Sequence, residues 1–183
     1  MVSEAMSFLA HTNFSAILGA AEPAHVFGTV GVALALGLAA MGSALGIGAA
    51  GQAAAGAWGK EARSGKPLSF TYIIMVGAPI SQTLYAMIVM NRLGALLEDA
   101  PDLAAANAGL MLGIGLATGL GEMFSAWMQG QIGAAGVRAL SDGEGKGFAF
   151  IIIALGIVET VGIFTMVFML GMIPAAPAAA VVS

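Results

Sequence analysis

The chain has 183 residues, of which 59% are hydrophobic and only 9% are charged, and it contains no cysteine. Soluble domains carry about 25% charged residues because their surfaces face water, so the composition excludes a soluble domain and a disordered chain and predicts an integral membrane protein. The net charge of −4 excludes the basic surface that binds nucleic acids, and the lack of cysteine excludes disulfides, thiolate metal sites and cysteine nucleophiles.

Four long apolar stretches follow one another along the chain. Each is longer than the roughly 20 residues that a helix needs to cross the hydrocarbon core. None shows the period-two alternation of a membrane strand, so we predict an all-α membrane protein with four transmembrane helices. The stretches cover about residues 26–58, 69–97, 103–137 and 147–173.

The four predicted helices are arranged as two hairpins separated by less apolar segments. We expect an N-terminal extension, a first hairpin, a connection outside the cytoplasm, a second hairpin and a tail, at residues 1–24, 25–97, 98–106, 107–173 and 174–183. The first 22 residues contain no Lys or Arg, so the basic region of a signal peptide is missing and an uncleaved amphipathic extension is expected.

The charged residues predict the orientation of the hairpins. Five of the six Lys and Arg residues lie in the connections 60–66 and 138–146, whereas the middle connection carries Glu98, Asp99 and Asp102. Positive residues accumulate on the cytoplasmic side of membrane proteins. Both hairpin loops are therefore predicted to face the cytoplasm, with both termini outside, in a multi-pass protein of the cell membrane.

The two hairpins are related by an internal duplication. A shift of 77 residues aligns residues 40–83 with 117–160 without a gap, and 12 of the 44 aligned pairs are identical. Glycine and alanine inflate such scores, so the polar pairs carry most weight. Among them are Gln52 with Gln129 and Gln82 with Glu159. The sequence predicts two fused copies of one hairpin in parallel orientation.

The two helices of each hairpin differ in side-chain size. Gly and Ala make up 19 of the 30 residues in 28–57 and 13 of the 30 in 108–137, whereas the second helices are bulky. Small residues let membrane helices approach closely, as at Gly42-x-x-x-Gly46 and Gly115-x-x-x-Gly119. Thin first helices and bulky second helices are typical of a closed homo-oligomeric ring, because the inner circle has less room. The alternative is that these glycines pack only this one chain.

Glu159 and Glu122 are the charged residues well inside the predicted spans. An intramembrane carboxylate is a candidate functional group, because a proton or a metal ion has to neutralise it in lipid. Opposite Glu159 in the duplication, positions 78, 81, 82 and 85 share one helix face that carries a hydroxyl, an amide and a phenol. With Gln129 from a thin helix, these oxygens suit a hard cation such as sodium. The alternative is a set of hydrogen bonds between helices.

These residues carry a resemblance to a known family. Over residues 25–173 the chain resembles the rotor-ring subunit K, the c-type proteolipid of V-type and archaeal-type rotary ATPases, in its fused two-hairpin form. Its most specific motifs are Val158-Glu159-Thr160, Ser81-Gln82-x-x-Tyr85 and Gln129-Gly130-Gln131-Ile132-Gly133-Ala134-Ala135-Gly136. The resemblance implies that Glu159 is the ion-binding carboxylate. It also implies that Gln82, Ser81, Gln129 and the Ala78 carbonyl are ligands, and that the Tyr85 phenol locks Glu159.

The resemblance further implies the transported ion and the partners. The chain is closest to the sodium-translocating members, because proton sites need little beyond the carboxylate and this sequence keeps the full set of oxygens; the alternative ion is H⁺. Expected partners are further copies in a ring, membrane lipid, a stator subunit with an opposing arginine, and central-stalk subunits at the cytoplasmic loops. No cofactor and no catalytic site are expected, so partner subunits would handle ATP.

Glu122 departs from the family pattern. It lies seven residues before Gln129, about 10 Å away along the helix axis and on nearly the same face. It is a candidate accessory residue that extends the ion path. The other interpretation is a protonated carboxyl that packs inside the protein or faces lipid or the lumen of the ring.

Two other classes of function are compatible with four spans and one central carboxylate. A small secondary transporter would use Glu159 for proton coupling, although many such folds have inverted repeats and this duplication is parallel. A structural proteolipid would not need Glu159 at all. The GxGxxG pattern at residues 46–51 lies inside a predicted membrane helix, so it is a packing motif and not a dinucleotide site.

Overall fold

The computed structural model describes residues 23–175. The expectations for the N-terminal extension and for most of the tail lie outside the described residues. Within them the protein is helical and has no strand. The helices are α1 (Pro23–Arg63), α2 (Tyr72–Gly77), α3 (Ser81–Asp99), α4 (Pro101–Ala106), α5 (Ala108–Asp142) and α6 (Phe148–Met172), with a 3₁₀ turn at Ala78–Ile80 between α2 and α3.

Among the described residues, four helical segments are long and apolar enough to cross a membrane, which confirms the predicted all-α class. They are Ala24–Arg63, Tyr72–Asp99, Ala108–Asp142 and Phe148–Met172. The first of them has 40 residues, so at about 1.5 Å per residue it extends well beyond a hydrocarbon core of about 30 Å. Two antiparallel pairs result: α1 with α2 and α3, and α5 with α6.

The connection between the hairpins is more helical than the expected segment 98–106. Ala100 leaves helical geometry with φ −142° and ψ 62°, and Pro101 then starts the short helix α4 at a position that suits proline. Asn107 ends α4, and its side-chain amide donates a hydrogen bond to the Leu103 carbonyl at 2.8 Å. The apolar stretch 103–137 is therefore not one helix, and α5 starts only at Ala108.

The second helix is broken in the first hairpin but continuous in the second. Proline lacks a backbone N–H and cannot continue a regular helix, and Pro79 lies within the 3₁₀ turn that separates α2 from α3. The aligned position in α6 is Gly156, and α6 runs without interruption. The break sets the position at which α3 begins, one residue before Gln82.

Small residues hold α1 against α5, which form the most extensive helix pair of the protein. A Cβ atom added to Gly115 would collide with the backbone of Gly31, and one added to Gly130 would collide with the backbone of Gly46. The glycines of both predicted small-residue motifs thus allow close packing within one chain. α6 remains mostly exposed, and its outward face carries large apolar side chains: Phe150, Ile153, Ile157, Val161, Phe164 and Phe168.

The two hairpin loops lie side by side at one end of the bundle. Lys60 pairs with Asp142 at 2.6 Å and Lys66 pairs with Glu144 at 2.8 Å, all with exposed side chains. Hydrogen bonding to Glu144 raises the pKa of Lys66, and hydrogen bonding to Lys66 lowers the pKa of Glu144. The second pair is therefore intact across neutral pH and is lost when acid protonates Glu144 or strong base deprotonates Lys66.

Candidate functional site

Glu159 lies on α6 where α6 packs against α3 and α5. Its Oε1 atom accepts a hydrogen bond of 2.8 Å from the phenol of Tyr85 on α3. Its Oε2 atom is 3.5 Å from the side-chain nitrogen of Gln129 on α5. The carboxylate is partly buried, and its neighbours Ile157 and Val161 on α6 are exposed. Three helices thus place one carboxylate at the edge of the bundle.

Gln129 contributes an unused oxygen to this site. Its side chain is fully buried, and its Nε2 atom donates to the Leu155 carbonyl at 3.2 Å as well as pointing to Glu159. Its Oε1 atom is buried without a hydrogen-bond partner. Buried polar atoms normally have a partner, because burial without one costs free energy. The site therefore contains an acceptor that is available to a cation.

Ala78, Ser81 and Gln82 bring three further oxygens to the start of α3. The Ser81 hydroxyl is 3.0 Å from the Ala78 carbonyl and 3.2 Å from the Gln82 Oε1 atom, and it can donate to either. The Ala78 carbonyl also accepts the backbone N–H of Ser81 within the 3₁₀ turn. The carbonyl expected as a ligand is therefore engaged in local hydrogen bonds, while the Gln82 amide is fully buried.

Ser125 is a site residue that sequence reasoning missed. Its hydroxyl accepts a hydrogen bond from Gln82 at 3.3 Å and donates one to the Val158 carbonyl at 3.0 Å, so it joins α3 to α6 through α5. The only signal in the sequence is its position four residues before Gln129, which places both on one face of α5. A serine in a membrane helix bonds so often to its own backbone that spacing alone does not identify it.

Glu122 is fully buried, and neither of its carboxyl oxygens has a hydrogen-bond partner in the part of the chain that the structure describes. Its Oε2 atom lies 2.6 Å from the position that a Cβ atom on Gly162 of α6 would take, and Ser125 Oγ lies 3.4 Å from the same position. The carboxyl group therefore faces α6 inside the bundle. The interpretation of Glu122 as a lipid- or lumen-facing group is wrong for this chain, because the helix rotation that buries Gln129 buries Glu122 as well.

Tyr85 and Gln129 contact Glu159 directly. Ser81 and Gln82 contact each other, and Gln82 is linked to α6 through Ser125. A carboxylate, amide oxygens, a hydroxyl and a backbone carbonyl are donors of the kind that hard cations prefer. Among the described residues no group of three His, Cys, Asp or Glu side chains could hold a metal ion. The same carboxylate could instead be neutralised by a proton.

A comparison with known families identifies both hairpins. The family model for the C subunit of ATP synthase matches the chain twice, over residues 30–91 and 112–172. Together the two matches span about two thirds of the chain, and each covers the main part of one hairpin. The repeated match confirms the predicted duplication. None of the curated proteins matches the chain.

Proposed function

Because the chain belongs to the family of the ATP synthase C subunit, the rotor-ring proteolipids of rotary ATPases, we propose that it is a V/A-type subunit K that carries Na⁺ on Glu159. The observation that supports sodium is the buried oxygen of Gln129, whose amide nitrogen points to this carboxylate. The Gln129 Oε1 atom is buried without a hydrogen-bond donor, and Ser81 and Gln82 carry further oxygens in the first turn of α3. A proton needs none of these groups, whereas a sodium ion needs several.

In the proposed mechanism the residues of this chain hold the ion while the ring turns. Glu159 supplies the negative charge that neutralises Na⁺, so that the loaded site can cross the lipid-facing part of its path without net charge. Tyr85 donates to one carboxylate oxygen and the Gln129 amide points to the other, so both orient the carboxylate. An arginine of the stator would displace the ion into one half-channel, after which another ion enters from the next.

The proposed assembly follows from the same assignment. Family membership implies association with further copies and with other ATPase subunits. We place both hairpin loops in the cytoplasm against the central stalk, because five of the six positive residues lie there. Glu159 is the carboxylate of the second hairpin, and Gln82 stands at the aligned position of the first. Each chain of four helices then carries one ion at this pair of positions. A complete rotation of the ring therefore moves few ions, which favours ATP-driven pumping.

The alternative ion is H⁺, carried by the same ring. The two ions are distinguished by labelling the purified ring with a hydrophobic carbodiimide, which attacks a protonated carboxyl group in apolar surroundings. We expect labelling of Glu159 and protection by millimolar sodium, with more sodium required at lower pH because the two ions compete. Labelling that follows pH and ignores sodium would contradict the sodium proposal. It would leave the oxygens of Gln82 and Gln129 as structural hydrogen-bonding groups.

Tyr85→Phe is expected to weaken sodium binding without changing the fold. The substitution removes the phenol hydroxyl and its hydrogen bond to Glu159, and it keeps the rest of the side chain. A hydrogen bond to a charged group is worth about 1.5–3 kcal/mol, so roughly 10- to 150-fold more sodium should be needed for half protection. Tyr72→Phe is the matched control, because its phenol bonds to Glu61 at the loop end. Equal effects of both substitutions would refute a local role for Tyr85.

A small secondary transporter coupled through Glu159 is the less favoured alternative. It would act as a monomer or small oligomer, whereas a rotor protein requires a closed ring. Native mass measurement of the detergent-solubilised protein separates the two, since a ring contains many copies of an 18.2 kDa chain.

A further inference from the structure

A stripe of buried polar side chains runs along the face of α5 that is packed inside the bundle. Its members follow one another three or four residues apart, which places them on one helix face over about 16 Å. They are Thr118, Glu122, Ser125 and Gln129, and none has more than 3% of its surface exposed. Gln129 and Ser125 belong to the Glu159 site, whereas Thr118 and Glu122 lie beyond it.

The far half of the stripe has no hydrogen-bond partners among residues 23–175. Both carboxyl oxygens of Glu122 and the hydroxyl of Thr118 are buried without a hydrogen bond. The ion pairs of the described residues lie at the loop end and do not include Glu122. A buried carboxylate without hydrogen bonds or a counter-charge is strongly unfavourable, so something outside this set of side chains has to neutralise it.

The surroundings of Glu122 contain few other groups that titrate. α3 offers Tyr85, which bonds to Glu159 of α6. α3 also carries Arg92, ten residues beyond Gln82, and Glu98 and Asp99 at its end, all three with exposed side chains. α1 has no charged residue between His25 and Lys60. α2 offers Tyr72 at the loop end, and α4 offers Asp102 at the opposite end. Among the described residues no basic side chain, Arg92 included, bonds to Glu122 as a fixed counter-ion.

We propose that Glu122 forms a second cation-binding site, with Thr118 and Ser125 as neighbouring oxygens, so that each chain binds two monovalent cations instead of one. Gly162 makes the site possible, because any side chain there would occupy the space against Glu122 Oε2. Ser125 connects the two sites, since it bonds to Gln82 and lies beside Glu122. The shared chemistry is neutralisation of a buried carboxylate, and the cation is either Na⁺ or a proton. This inference deepens the proposed function.

Counting bound ²²Na⁺ per chain on the purified ring at alkaline pH tests the proposal. We expect two ions in the wild type, one each in Glu122→Gln and Glu159→Gln, and none in the double variant. The amide is isosteric with the carboxyl group, and the count in the wild type does not depend on any variant. If Glu159→Gln removes no sodium, the proposed function fails independently of Glu122.

Carbodiimide labelling of Glu159→Gln identifies a proton as the second cation. One sodium per chain in the wild type, together with labelling of Glu122 that declines as the pH rises, would mean that Glu122 exchanges a proton. One sodium per chain and labelling of Glu122 that stays the same at every pH, while labelling of Glu159 in Glu122→Gln changes with pH, would overturn the proposal. Glu122 would then be a carboxyl group that only packs.

Discussion

Glu159→Gln is expected to abolish ion transport by the assembled complex, down to the level of protein-free vesicles. The amide keeps the size of the side chain and its capacity to accept from Tyr85, but it removes the negative charge that neutralises the cation. A site without that charge cannot bind the ion for transfer. Sodium uptake into proteoliposomes containing the complete ATPase, energised by ATP, measures the effect directly. Assembly should be unchanged, because Glu159 forms no ion pair within the described residues.

Two further variants make this result specific. Glu159→Asp keeps the charge but withdraws it by one methylene, so it should retain part of the transport. Thr165→Val is the matched control on the same helix, because the Thr165 hydroxyl bonds to the Val161 carbonyl of its own helix and valine keeps the shape that packs against Gly121. Transport that survives Glu159→Gln at the wild-type rate would favour a structural proteolipid and would remove Glu159 from the mechanism.

Gly115→Ala is expected to destabilise the protein severely, although it adds only one methyl group. The new Cβ atom would meet the Gly31 backbone, which cannot move away as a flexible side chain could. Overpacking in a well-packed core costs about 1–3 kcal/mol, and a collision between two backbones belongs at the upper end of that range. The assay is the midpoint of thermal unfolding in detergent, followed by the yield of membrane-inserted protein.

Gly113→Ala is the matched control for this substitution. Gly113 lies two residues earlier on α5, and a Cβ atom there would meet nothing within 4 Å. Since alanine is favoured over glycine inside a helix by about 1 kcal/mol, this variant should be as stable as the wild type or more stable. If Gly115→Ala and Gly113→Ala behaved alike, close contact between α1 and α5 would not be what stabilises the bundle.

The glycine pattern illustrates how far sequence could specify the packing. Segregation of small residues into the first helix of each hairpin predicted close helix contacts, and Gly115 and Gly130 lie in such contacts. The sequence could not predict which helix each glycine contacts, because α1 and α5 are both rich in small residues. Contact between them within one chain follows from their rotation in the folded bundle. The sequence could not predict the Lys60–Asp142 and Lys66–Glu144 ion pairs either, since each joins loops that are far apart in sequence.

The amino-acid sequence by itself determined the membrane class, the four spans, the duplication and the central carboxylate, because composition, length and internal similarity need no knowledge of helix rotation. It also placed Tyr85 and Gln129 as candidate partners of Glu159, and the structure brings all three together. Only the tertiary structure decided that Ser125 bridges Gln82 to α6 and that Glu122 is buried against Gly162. The reason is physical: spacing assigns a residue to a helix face, but packing against the other helices decides which way that face points.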